Sequence, residues 1–325
     1  MTIEAPIGKL LILAALLTAT LSACGDRPYS ANSRLPVAVS DSQQVMTLDN
    51  RSLSEASGLT RSSKRGDLVW MHNDSGDTAR LFAVGTNGQH LGVLTINGGE
   101  SAIDWEDIAS FSQNGKDYLL IADVGDNNAL RPSITLYIIE EPDTLALDIP
   151  FSISVKPAWR INATYPDGAR DCEAVAVDQI REEIILLSKR DRPPRLYSLP
   201  LSKSSGLVTA SFVGAVSSIP APTANDLGEP YGKNRNRPTG LDISPDGSRI
   251  GVLTYKDSYL FTKEGNASWL DTLNSHPKII DIPQLKQAEA GGFSITGNSW
   301  IVGSEKLPAV LVKTNLQNPL TLLRD

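Results

Sequence analysis

The sequence predicts an all-β protein, a β-propeller of five blades with four antiparallel strands in each. Three observations predict it. Apolar runs have strand length, as in "DYLLIAD", "SITLYII", "EEIILLS" and "RIGVLTY", and no long segment repeats its apolar residues every 3.6 positions between caps. Turn signals stand between such runs: Asn87-Gly88, Asn114-Gly115 and Pro245-Asp246-Gly247. One phrase returns five times, as "SEASGL" (54–59), "WEDIA" (105–109), "CEAVAV" (172–177), "PTGLDI" (238–243) and "AEAGGF" (288–293). Four-stranded units repeated about an axis leave this signature.

Each phrase opens a unit of one plan and forms its first strand. Second strands follow as "DLVWMHND", "DYLLIADVG", "EEIILLSKR", "RIGVLTYKD" and "SWIVGSEK". Third strands are "RLFAVG", "SITLYII", "RLYSLP", "SYLFTK" and "AVLVKT", and a less apolar fourth completes the unit. The last unit runs out after three strands, near Leu322. A strand over residues 44–48 and their flanks would supply the missing outer edge, join the chain ends and remove an open sheet edge. Six blades is the alternative, with a degenerate blade hidden in one of the long repeats.

Ahead of the wheel lies a different kind of sequence. Lys9 precedes an apolar run from Leu10 to Leu21, too short to span a bilayer comfortably and flanked like an export signal. Leu21 to Cys24 resembles a bacterial lipobox, which implies cleavage before Cys24 and a lipid on its sulfur. Gly25 follows, with no Asp to hold the protein at the inner membrane, and the resemblance then favours the outer membrane, facing the periplasm or the exterior. Residues 1–23 are thus read as a lipoprotein signal peptide, 24–40 as a tether and 41–325 as one propeller domain. The net charge of −7 gives no basic face for nucleic acid. With Cys24 lipidated, Cys172 is the one thiol left, so no internal disulfide forms. Cys172 itself reads as a small buried apolar residue. A single chain tethered only by its lipid is expected.

The first strand of each blade lines the tunnel, so the residues at its start gather at one mouth. Those residues are Glu55, Glu106, Glu173 and Glu289, with Thr239 completing the ring. The loops between second and third strands open on the same face. Two are acidic and share an Asp-x-Gly-Asp pattern, Asp74 to Asp77 and Asp123 to Asp126, the second followed by Asn127. Three carry Lys189, Arg190, Lys256 and Lys306. Asp74, Asp77, Asp123, Asp126, Asn127 and the four basic residues are therefore the candidate ligand contacts. Converging carboxylates repel and lose hydration, so either protons or a cation must neutralise them. Oxygen donors without His or Cys suit Ca²⁺ rather than zinc. The alternative is structural: each Glu caps strand ends, and each Asp-x-Gly-Asp loop is a tight turn. His72 is the one histidine placed on this face, and Asp77, Asp126 and His72 are the candidate acid/base groups. Asp107 falls out of phase with Glu106 unless a bulge intervenes. The basic loop "NRNRPTG" (234–240) could lean over the mouth. No G-x-S-x-G, H-E-x-x-H or P-loop motif occurs.

The phrases "HNDSGD…LFAV", "DWEDIA", "DVGDNNALRPSITLY" and "DCEAVAVD" resemble a family of exported bacterial β-propeller proteins, over most of residues 50–310. In plan the chain is also similar to calcium-activated apyrases, five-bladed propellers with Ca²⁺ at the tunnel, whose strand-starting phrases carry Glu in most blades and a gap in one. Glu55, Glu106, Glu173 and Glu289 match the acids, and Thr239 matches the gap. That resemblance implies a Ca²⁺ site and hydrolysis of phosphoanhydrides; phytase-like propellers offer the same link between Ca²⁺ and phosphate. The expectation is an envelope-anchored propeller that holds Ca²⁺ at its mouth and binds a small anionic ligand or an envelope protein there. A Ca²⁺-dependent phosphohydrolase is the alternative.

Overall fold

The computed structural model describes residues 43–98 and 102–316, together with Met1. The chain divides into two units, Met1–Leu35 and Pro36–Asp325, and every element below belongs to the second. The expected signal peptide, lipidated Cys24 and tether lie outside the described residues.

Five antiparallel sheets follow one another along the chain. A first strand, β1 (Gln43–Thr47), precedes blade 1, which holds β2 (Ala56–Arg61), β3 (Leu68–Asn73), β4 (Arg80–Gly85) and β5 (His90–Ile96). Blade 2 holds β6 (Trp105–Gln113), β7 (Lys116–Asp123) and β8 (Ile134–Glu140); after a detour through β9 (Phe151–Val155) it ends with β10 (Trp159–Thr164). Blade 3 holds β11 (Cys172–Asp178), β12 (Glu183–Ser188) and β13 (Arg195–Pro200); after β14 (Leu207–Thr209) it ends with β15 (Ser211–Ala215). Blade 4 holds β16 (Pro238–Ile243), β17 (Arg249–Thr254) and β18 (Ser258–Thr262); after a short helix α1 (Trp269–Leu273) it ends with β19 (Lys278–Ile280). Blade 5 holds β20 (Ala288–Phe293), β21 (Ser299–Ser304) and β22 (Val310–Asn315), and β1 completes it, with Gln43 opposite Thr314 and Thr47 opposite Val310. The chain is a five-bladed propeller closed by its N-terminal strand.

The long repeats that left six blades open contain no extra blade. They contain segments that reach back to the preceding one. β9 adds in parallel to β5 of blade 1, and β14 adds in parallel to β10 of blade 2. α1 covers β15 of blade 3 with Leu270 over Gly214, and Asn274 Nδ2 donates to the Ala215 carbonyl at 3.0 Å. Each insertion sits between the third and fourth strands of its own blade and protects its neighbour's outer edge.

The core divides among the blade interfaces. Phe111, Leu120, Val175 and Leu186 pack between blades 2 and 3, while Trp70, Leu81, Trp105 and Ile121 pack between blades 1 and 2. The inner strands β2 and β11 are buried along their whole length; the outer β9 alternates. At the Asn114-Gly115 hairpin both residues have positive φ, 53° and 74°, as a type I′ turn requires.

Two buried aspartates tie the wheel at its axis. The Asp107 carboxylate accepts from Ile108 N at 2.9 Å, from Val175 N of blade 3 at 2.8 Å and from Leu241 N of blade 4 at 3.1 Å. Asp242 of blade 4 accepts from Phe293 N of blade 5 at 2.8 Å and from Arg61 of blade 1 at 2.9 Å. First strands turn one edge to the tunnel, where their N–H groups would otherwise lack partners.

Candidate functional site at the tunnel mouth

A bulge interrupts the pairing of the first two strands in every blade. It falls between Ala56 and Gly58, Trp105 and Asp107, Cys172 and Ala174, Pro238 and Gly240, and Ala288 and Ala290. The bulged residues are Ser57, Glu106, Glu173, Thr239 and Glu289. These five form the ring, and all are buried. Glu55 is therefore not its blade-1 member: it stands two residues earlier, with its side chain 45% exposed and ion-paired to Lys306 at 2.8 Å. The blade-1 member of the ring is Ser57, two residues after Glu55. Ser57-Gly58-Leu59 matches Thr239-Gly240-Leu241, and that pair was the available signal. The bulge also explains Asp107, which it turns to the axis directly after Glu106.

A second tier surrounds the ring. Residues two before each bulge are Glu55, Asp104, Asp171, Arg237 and Gln287. In four blades their carbonyls accept from a residue just beyond the second strand: Asp74 N to Glu55 O at 2.8 Å, Gly125 N to Asp104 O at 3.2 Å, Lys189 N to Asp171 O at 3.1 Å and Glu305 N to Gln287 O at 3.0 Å. This repeated bond brings Asp74, Lys189 and Glu305 to the mouth, with Tyr255 in the same place in blade 4.

The carboxylates then fall into two halves. In one, donor oxygens of Asp74, Asp104 and Glu106 lie within 4.8 Å of one another. Asp74 and Asp104 are close enough to repel each other. Ser57 Oγ donates to the Glu106 carbonyl at 3.0 Å and lies 3.2 Å from its Oε2. Gly125 presses its backbone against this group: a Cβ there would stand 2.2 Å from Glu106 Oε1 and 2.5 Å from Asp104 Oδ2. In the other half, Glu106, Asp171 and Glu173 converge within the same 4.8 Å. Here the protein supplies cations. Buried Lys189 pairs with Glu173, and its Nζ lies 4.9 Å from the centre of the Tyr255 ring. Arg190 Nε donates to Asp171 Oδ2 at 2.5 Å. Glu289 lies beside Tyr255 and Glu305 and acts on both electrostatically.

The acids titrate as crowded carboxyls do. Burial, then Glu173 and Asp74, pushes Glu106 well above the carboxylate range. Burial and the neighbouring Asp74 and Asp171 raise Asp104 to about 6. Burial raises Glu173 to about 8, against the pull of Lys189 and with Glu289 adding to the rise. Burial and the contact with Glu289 take Glu305 to about 9. On Lys189, burial opposes the charge, but Glu173, Glu289 and Glu106 outweigh it and hold the ammonium above its ordinary range.

The remaining predicted contacts are occupied locally. Asp77 accepts from Asn73 at 2.8 Å and pairs with Arg80 at 2.8 Å. Asp126 accepts from Leu130 N at 2.8 Å and Arg131 N at 2.7 Å, closing a turn. Asp123 is buried, accepts from Asp104 N at 3.3 Å and pairs with Arg131 at 2.7 Å. Asn127 accepts from Arg190. Lys256 binds Asp226 at 2.6 Å and Glu229 at 2.5 Å, and Lys306 also approaches Glu305 at 3.3 Å. His72 is wholly buried, donates Nδ1–H to the Asn73 carbonyl at 2.9 Å and packs edge-on to Trp105; burial lowers it to about 4. It stands inside blade 1, away from solvent. Cys172 is buried with its thiol pushed up to about 12 by burial. Residues that sequence reasoning passed over are Asp104, Asp171, Tyr255 and Glu305.

The donor set suits a hard cation. Ca²⁺ takes oxygens at about 2.3–2.6 Å, so ligands of one ion lie no more than about 5 Å apart. Asp74, Asp104 and Glu106 meet that spacing, and none of the ion pairs among the described residues includes any of the three.

No known family profile matches the chain, and no curated protein matches it. Among solved structures, the chain is similar to U3-55K, with a TM-score of 0.42 and 10% identity, covering 86% of this chain and 99% of that one. It is similar to the same degree to the Pan2 WD40 domain of Neurospora crassa, with a TM-score of 0.42, 10% identity and coverage of 86% and 98%. Likeness of this order says nothing about function.

Proposed function

We propose that the tunnel mouth is a binding site built on a divalent cation, Ca²⁺, held by Asp74, Asp104 and Glu106. One observation carries the reading. The half of the mouth formed by Glu173 and Asp171 makes ion pairs with Lys189 and Arg190, whereas among the described residues Asp74, Asp104 and Glu106 form no ion pair, and Lys189 and Arg131 act on them only from a distance. Three protein ligands leave most of a Ca²⁺ shell open to water or to an oxygen of a bound molecule. A small anionic ligand or a partner's acidic group would complete it. As expected from the sequence, the protein would work as a lipid-anchored envelope module; metabolic palmitate labelling that survives Cys24→Ala would refute the anchor.

The hydrolase reading has less support. Lys189, Arg190, Lys256 and Lys306 were its phosphate clamp, and each already answers a carboxylate. Asp77 and Asp126, its candidate bases, hold turns. Thermal melts with Ca²⁺, Mg²⁺ and EDTA test the cation: Ca²⁺ should raise Tm by several degrees, and equal Tm in all three would refute it. A phosphate-release panel over nucleotides, pyrophosphate and phytate should stay silent; turnover that depends on Ca²⁺ would restore the hydrolase.

A further inference from the structure

We propose that Lys189 is a tethered cation that fills the place of a second metal ion, so that the mouth takes one divalent ion where its carboxylates present donors for two. The inference rests on the cation reading of Asp74, Asp104 and Glu106 for the first ion and concerns the other half of the mouth.

The repeat builds the same pair of donors twice. Asp104 and Glu106 in blade 2, and Asp171 and Glu173 in blade 3, each place one acid two residues before the bulge and one at it. Glu106 belongs to both clusters: its carboxylate lies within 4.8 Å of donor oxygens of Asp74 and Asp104, and within 4.8 Å of donor oxygens of Asp171 and Glu173. By spacing alone, both halves suit a hard cation. They differ in what joins them. Just beyond the second strand stands Asp74 in blade 1 and Lys189 in blade 3. At one register position, therefore, the first half gains a third carboxylate and the second gains an ammonium.

The ammonium is fixed in place. Lys189 is buried, its Nζ contacts Glu173, and the centre of the Tyr255 ring lies 4.9 Å from that nitrogen. Tyr255 stacks in turn on Tyr231, with 6.0 Å between ring centres and 13° between planes. Tyr231 belongs to the connection between β15 and β16, and Lys256 ties that connection down through Asp226 at 2.6 Å and Glu229 at 2.5 Å. An acid and an aromatic face together hold Lys189 as a compact point charge. Asp171 accepts from Asp126 N at 3.0 Å and from Arg190 Nε at 2.5 Å, bonds of the kind that orient a carboxylate behind a metal ion. Buried carboxylates need a counter-charge. Lys189 supplies one that cannot dissociate.

The test is calorimetric titration of Ca²⁺ into the metal-stripped full chain and into Lys189→Met, whose side chain is of similar length and uncharged. Lys189→Met should bind two ions where the native chain binds one, and Ca²⁺ should raise its Tm by several degrees more than it raises the native Tm. Lys189→Arg keeps the charge and should bind as many ions as the native chain; an extra ion there would mean that lost packing, not lost charge, opens the site, and would overturn the proposal. The same ion count in Lys189→Met as in the native chain would overturn it too. So would a Lys189→Met chain that Ca²⁺ fails to fold, since an ion in the place of the ammonium restores the counter-charge. The two readings fail separately. No ion on the native chain and one on Lys189→Met would refute the site at Asp74, Asp104 and Glu106 and leave this inference standing, whereas one ion on each would do the reverse.

Discussion

Glu106 and Asp107 are adjacent in the chain and do different work because of one bulge. Asp107 satisfies backbone donors of two other blades, whereas Glu106 faces the mouth among like charges. Asp107→Ala should destabilise the fold by about 3 kcal/mol, since it leaves buried N–H groups of Val175 and Leu241 unmet; a chemical denaturation curve equal to that of the native chain would contradict this. Glu106, Glu173, Asp104 and Glu305 predict a pH dependence of stability. Their folded pKa values lie above the ordinary carboxyl range, with Asp104 at about 6, Glu173 at about 8 and Glu305 at about 9. Raised acids favour the folded state while protonated, and that contribution fades as pH rises through those values. In EDTA, Tm should fall from pH 5 to pH 9, and Glu305→Gln should flatten the alkaline part. A Tm that rises across that window would contradict the assignment.

At the scale of the element, the same bulge begins every first strand, and Gly125 shows how closely the loops fit over it. Gly125→Ala would drive a methyl group into Glu106 and Asp104, so it should abolish the calcium-induced rise in Tm, and a full rise in that variant would mean that the donors lie elsewhere. Much of the element plan was legible in the chain. Periodicity marks strands, Gly pairs mark hairpins, and the repeated phrase marks where a blade begins. Register was less legible. A bulge leaves no residue signature of its own, so Glu55 passed for the ring member that Ser57 is. Nor could local pattern show that β9, β14 and α1 serve neighbouring blades, because their partners are remote in sequence. Lys256 and Lys306 looked free for the same reason: their carboxylates, on Asp226 and Glu55, come from other segments.

The propeller unit is a ring, and a ring is only as closed as its last contact. β1 pairs with β22 over five positions, and Leu48 and Leu53 pack into the interface between blades 5 and 1. Deleting residues 1–48 removes β1 and exposes the edge of β22, so the truncated chain should melt well below the full one or associate through that edge; an unchanged melt would show that closure is unimportant. Packing of blade 1 on blade 2 is what brings Asp74, Asp104 and Glu106 to one mouth. Calorimetric titration of the metal-stripped protein with Ca²⁺ tests that convergence most directly. One ion per chain should bind the native protein, and Asp104→Asn should weaken it by tenfold or more, about the 1.4 kcal/mol that one charge-assisted ligand contributes at least. No binding to the native chain, or the same affinity in Asp104→Asn, would contradict the account.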